Sequence, residues 1–140
     1  PRFRFLTSTE LAGGDYRPTW LVPRVLVKGQ PGVIAGPSKG MKTSILIDLA
    51  VSLAAGRPFL GAFDVPTPFK VVVASGESGA HTIQETARRV CKARGVELAD
   101  LSGLRWCFEL PTLANVAVMA EFGAGLAGLD AQVVVIDPLY

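Results

Sequence analysis

The stretch Gly36-Pro37-Ser38-Lys39-Gly40-Met41-Lys42-Thr43-Ser44 constrains the fold more than any other part of the chain. Gly36, Lys42 and Thr43 keep the spacing of a phosphate-binding loop, G-x-x-x-x-G-K-[ST]. Met41 stands where the second glycine belongs, and the glycine lies one position earlier, at Gly40. A pattern with a displaced glycine takes its meaning from its flanks. Before it, Gly32-Val33-Ile34-Ala35 is a short apolar run suited to a buried parallel strand. After it, Ser44 to Ala55 is apolar nearly all round and is closed by Gly56, which reads as a buried helix with a glycine just past its end. Strand, glycine-containing loop and helix together present unpaired helix N–H groups and a positive dipole end to an anion. In that arrangement Gly36 to Ser44 cradle the phosphates of a nucleotide such as ATP. Lys42 reaches the outer phosphates as a compact charge, and Thr43 places its hydroxyl on Mg2+. The bland alternative is a glycine-rich strand-to-helix turn carrying an exposed lysine.

With 140 residues the chain makes one domain at most. It opens on Pro1 and stops at Tyr140 directly after an apolar strand, so it reads as part of something longer. A hydrophobic content of 49% and a mean hydropathy of +0.38 are high for a free-standing domain of this size. Buried strands and an all-apolar helix account for that, as does a surface meant to be covered by further sequence or by a subunit. No apolar run reaches the roughly 18 residues of a membrane span, because Asp48, Glu121 and Asp130 interrupt the best candidates. No targeting signal is visible, and a cytoplasmic, membrane-free protein is expected. A net charge of +2 neither demands nor excludes nucleic acid. Cys91 on a helix face and Cys107 in an apolar strand read as buried free thiols in a reducing compartment. His81 has no second histidine to form a ligand cluster with.

Two parts are expected: a leading arm and connecting segment over 1–30, and a partial nucleotide-binding core over 31–140. In the first, Trp20-Leu21-Val22 and Val25-Leu26-Val27 are short apolar pieces split by Pro23. Tyr16 and Trp20 are suited either to stacking on a base or, the plainer duty, to covering one edge of the core. Lys70 to Ser75 predicts a strand buried on both faces, since its aliphatic residues do not alternate with polar ones. Thr82-Ile83-Gln84-Glu85 has the form of a capping box and predicts a helix start. The helix buries Ile83, Ala87, Val90 and Cys91 and ends at Gly95. Arg88 and Arg89 fall on its solvated face beside Glu85 and are read as salt-bridged there. Leu104 to Phe108 predicts a strand near a sheet edge. Asn115 caps a helix running to about Leu126, with Val118, Met119, Phe122 and Leu126 inward. Gly123 and Gly125 each cost that helix about 1 kcal/mol relative to alanine, so its second half is expected to fray. Gln132 to Asp137 is the last strand. Alternating strands and helices predict a parallel α/β sheet with right-handed crossovers.

Ligands collect at the carboxyl ends of such strands. There the first strand delivers the Gly36–Ser44 loop, the second Ser75-Gly76-Glu77-Ser78-Gly79, and the last Asp137. Asp137 suits a carboxylate that holds Mg2+ opposite Thr43; taken alone it is an ordinary strand-end aspartate before Pro138. Glu77 suits a base that orients and deprotonates an attacking water while Mg2+ and Lys42 offset the developing charge. A solvated loop glutamate is the competing reading.

The motifs Ala35 to Thr43, Val73-Ala74-Ser75-Gly76-Glu77 and Val134-Val135-Ile136-Asp137-Pro138-Leu139 resemble, in this order, the RecA-like P-loop ATPases, and among them the RepA/DnaB-type AAA-family ATPases of replication and mobile elements. The resemblance spans Trp20 to Tyr140, and its specificity lies in those three short motifs. It implies a three-layer RecA-like fold with a mainly parallel sheet, truncated here after the Walker B strand. It also implies Lys42 and Thr43 as the Walker A pair, Asp137 as the Walker B aspartate and Glu77 as catalytic base. ATP and Mg2+ follow as ligands, with a homo-hexamer and DNA as partners by family analogy. Met41 departs from the family pattern and bears on nucleotide affinity. The arginine finger and DNA-contacting loops that the resemblance implies would lie beyond Tyr140. A P-loop kinase acting on a small molecule and a non-hydrolysing nucleotide-binding assembly module remain the alternatives.

Overall fold

In the computed structural model, which describes residues 2–37 and 41–139, four α-helices and five strands follow one another among the described residues, with a short 3-10 turn at Leu98–Asp100. They are α1 (Ser8–Gly13), β1 (Trp20–Val22), β2 (Leu26–Val27), α2 (Lys42–Ala55), β3 (Val71–Ser75), α3 (Ala80–Arg94), β4 (Leu104–Cys107), α4 (Val116–Gly128) and β5 (Val133–Asp137). Ser38, Lys39 and Gly40 of the loop lie outside the described residues.

The aliphatic run of β3 cannot face water on either side, and all five of its residues are buried. It forms the centre of a parallel sheet ordered β4-β3-β5. From β3 the chain crosses through α3 to β4 on one side, then returns through α4 to β5 on the other. Right-handed crossovers in opposite directions place α3 and α4 on opposite faces. Helix α2 packs against α3 and against all three strands. The core lies between these two helices and the sheet, where Ile47, Val51 and Leu53 of α2 meet Val71 and Val73 of β3, Ile83, Ala87 and Cys91 of α3, Leu104 and Val135. Each buried valine, leucine or isoleucine among them contributes about 1.5–3 kcal/mol by leaving water. Gly56 closes α2 at φ 65°, the left-handed conformation in which glycine avoids the Cβ penalty.

The outer pieces also follow the sequence. Trp20–Val22 and Leu26–Val27 pair antiparallel. In α4 the Asn115 side chain accepts the Val118 amide at 3.1 Å. Val118, Met119, Phe122 and Leu126 are half-buried on one stripe, as expected.

Several expectations need correction. Gly32–Ala35 is not a strand: no neighbouring strand pairs with it among the described residues, and Val33 is 79% exposed. An apolar run this short becomes a strand only when a partner takes its backbone hydrogen bonds. Tyr16 and Trp20 do not cover the core, being 61% and 44% exposed. Helix α3 starts at Ala80 after an N-cap at Gly79, so Thr82 lies inside the helix and caps nothing. A true capping box is instead formed by Thr7 and Glu10 at α1. Helix α4 ends at Gly128, close to the expected end near Leu126.

Cys91 and Cys107 are both free thiols, Cys91 buried and Cys107 half-buried. Burial pushes the Cys91 thiol up from its ordinary value, and the nearby charge of Glu97 adds to this. Brief maleimide treatment of the native protein near neutral pH is therefore expected to label Cys107 and spare Cys91 until urea is added. Peptide mass spectrometry reads the two sites separately. Equal labelling of both in the absence of urea would mean that α3 does not dock as described.

Candidate functional site

The ends of β3 and β5 are level, with Ser75 paired in register to Asp137. The Gly76 amide donates to the Asp137 carbonyl at 3.1 Å, which ties the turn after β3 to the end of β5. Asp137 is buried, and its carboxylate accepts the Thr43 hydroxyl at 2.7 Å. This contact links the first turn of α2 to the end of β5 across 94 residues of chain. Two of the three strand-end deliveries expected from the sequence are thus brought together. The apolar underside of α2 holds its first turn in place by packing on β3 and β5.

Lys42 opens α2, and its Nζ donates to the Gly36 carbonyl at 3.0 Å. No carboxylate pairs with this ammonium group among the described residues, so its charge stays available to an anion. Met41 is the N-cap residue, with φ −86° and ψ 23°, and gives no side-chain hydrogen bond to the helix; the first turn also lacks an acidic residue. The opening amides of α2 have no intrahelical acceptor, as at every helix start, and among the described residues no N-cap side chain bonds to them. Met41 itself is 72% exposed. Gly36 and Pro37 are exposed and Ser44 is half-buried.

Glu77 sits in the turn between β3 and α3 and is exposed. Among the described residues no hydrogen bond joins its carboxylate to Thr43 or Asp137. It follows β3 at the same end of the sheet. Arg88 and Arg89 are exposed, as expected, but among the described residues neither forms an ion pair with Glu85. His81 is an exposed residue of the first turn of α3.

Two groups of residues receive no role of their own from the sequence, although Ser75 belongs to the segment expected at the end of the second strand. Ser75 is 1% exposed, and its hydroxyl has no hydrogen-bond partner among the described residues. The signal was a lone hydroxyl closing an otherwise aliphatic buried strand. Asp48, Ser52 and Arg94 form the second group. The Asp48 carboxylate accepts the Ser52 hydroxyl at 2.9 Å and the Leu60 amide at 3.2 Å, and pairs with the Arg94 guanidinium. An aspartate four residues before a serine in an apolar helix was the available clue.

The donors beside α2 are all oxygens: the Thr43 hydroxyl, the Asp137 carboxylate and the unpartnered Ser75 hydroxyl. Such a set fits a hard cation. Among the described residues no cluster of three or more His, Cys, Asp or Glu side chains exists. A cation here would draw its other oxygens from phosphates and water, which is the habit of Mg2+.

A parallel α/β sheet, a glycine-containing loop feeding a buried helix, and a hydroxyl–carboxylate link from that helix to a strand end are features of the P-loop NTPase class. A family model described as AAA domain matches residues 1–140, and the chain belongs to this family of P-loop ATPases. Comparisons with curated proteins and with solved structures found no match. Membership implies a bound nucleotide and usually Mg2+. No helix among the described residues is long and apolar enough to cross a membrane.

Proposed function

We propose that this chain binds ATP at the Gly36–Ser44 loop and hydrolyses it in a Mg2+-dependent reaction, as part of a RecA-like ATPase of the RepA/DnaB type. The observation that carries the reading is the Thr43–Asp137 hydrogen bond, which supports a shared cation position between α2 and β5. In this reading the amides at the start of α2 hold the phosphates. Lys42 leaves the Gly36 carbonyl for the outer phosphates, and Thr43 with Asp137 holds the cation. Mg2+, when bound, neutralises charge on the phosphates. Glu77, whose carboxylate is exposed and uncommitted among the described residues, takes a proton from the attacking water. Coupling of hydrolysis to replication or mobile-element DNA, hexameric assembly and a cytoplasmic setting rest on the motif resemblance alone.

Lys42→Ala tests the reading. Loss of one charge-assisted contact to phosphate lowers ATP affinity by roughly 10- to 100-fold. The melting temperature stays close to wild type, because among the described residues the substitution removes only an exposed hydrogen bond to Gly36. Isothermal titration with ATP and Mg2+ measures the first, thermal unfolding the second. Undiminished affinity would remove the phosphate-loop assignment. DNA-stimulated turnover by the full-length protein, without phosphoryl transfer to small-molecule acceptors, would separate a DNA-coupled ATPase from a kinase.

A further inference from the structure

An unpartnered buried hydroxyl costs about 1–3 kcal/mol, and packing alone would be served by the valine and alanine that fill the rest of β3. Ser75 carries that cost at one particular place. Residues paired in register on parallel strands project to the same side of a sheet. Asp137 projects toward the first turn of α2, because its carboxylate bonds to Thr43. Ser75, its register partner, therefore faces the same helix start. Three oxygen-bearing side chains converge there. Thr43 and Asp137 bond to each other, while the third has nothing to bond to among the described residues.

We propose that Ser75 is a positioning residue for the hydrated divalent cation of the nucleotide site, its hydroxyl accepting a hydrogen bond from a water that the cation carries. The proposal rests on the nucleotide-site reading above and deepens it. A neutral hydroxyl is suited to this duty: it orients a water without adding a second negative charge beside Asp137 and the phosphates. Because Ser75 begins the turn that carries Glu77, the same contact links the cation's position to that of the proposed base.

Electron paramagnetic resonance with Mn2+ as the probe tests this on the full-length protein with ADP present. For Ser75→Ala the Mn2+ dissociation constant is expected to rise roughly 5- to 10-fold. ADP binding in EDTA should match wild type. The melting temperature of the unliganded protein should hold or rise, since a buried unpaired hydroxyl has been removed. Unchanged Mn2+ affinity in a protein that binds ADP normally overturns the role of Ser75 and leaves the nucleotide site standing. Absence of Mn2+-dependent ADP binding in the wild type overturns both. Should alanine lower the melting temperature, Ser75→Cys decides, because it keeps the shape and bonds only weakly. Reduced Mn2+ affinity in that variant supports the proposal, and wild-type affinity overturns it.

Discussion

Glu77→Gln is expected to keep ATP bound and to lower turnover by about 10²–10⁴-fold, the usual worth of a positioned general base. Glutamine preserves the shape and one hydrogen-bond acceptor of the side chain but cannot take up a proton. The turn holding residue 77 should be undisturbed. It is fixed by the Gly76 amide on the Asp137 carbonyl and by Leu110, against which a Cβ on residue 76 would come within 2.6 Å. The Glu77 side chain is exposed, so its exchange should leave stability within about 0.5 kcal/mol of wild type. ATP titration and single-turnover hydrolysis separate binding from chemistry. A variant that binds and turns over normally would make Glu77 a solvated loop carboxylate. One that loses binding as well would make it a phosphate-site residue rather than a base.

What could be read from the sequence was what chain-local chemistry dictates. The unbroken aliphatic run of β3, the glycine stops at Gly56 and Gly95, and the stripes of α3 and α4 each state their outcome within a few residues. The meeting of Thr43 with Asp137 was legible for another reason: a helix that packs on a parallel sheet with its start toward the strand ends meets what β5 delivers there, whatever lies between them in the chain. Pairing was not legible. Gly32–Ala35 has a strand's composition, but a strand also needs a neighbour, and short sequence windows do not show one. The capping box was expected at Thr82–Glu85 and formed at Thr7–Glu10, because S/T-x-x-E describes both a helix start and any exposed helical turn. Ser75 and Asp48 were passed over for a related reason. What sets each apart is the absence or presence of a partner distant in the chain.

The Asp48–Arg94 pair carries the largest stability effect expected in this molecule. Both side chains are mostly shielded, at 12% and 18% exposed. Arg94 comes from the last turn of α3 and reaches the middle of α2, so the pair locks the two helices that cover one face of the sheet. Asp48 also holds the Leu60 amide, in a residue at φ 52°, a conformation rarely adopted by a leucine. Arg94→Ala leaves a buried carboxylate with the Ser52 hydroxyl and the Leu60 amide but no cation, and should cost about 3–5 kcal/mol. That is a large share of the roughly 5–15 kcal/mol by which domains are stable. Urea unfolding should show the midpoint fall. Arg94→Lys should lie between, keeping the charge and losing the fork. Replacing both residues by apolar ones should recover only part of the loss, because the Leu60 amide and Ser52 hydroxyl would then lack their acceptor. The pair lies more than one helical turn from Thr43, so ATP affinity measured well below the melting temperature should be nearly unchanged. A loss under about 1 kcal/mol for Arg94→Ala would place the pair with exposed ion pairs, and the α2–α3 contact would then rest on apolar packing among residues such as Ile47, Val51, Ile83, Ala87 and Cys91.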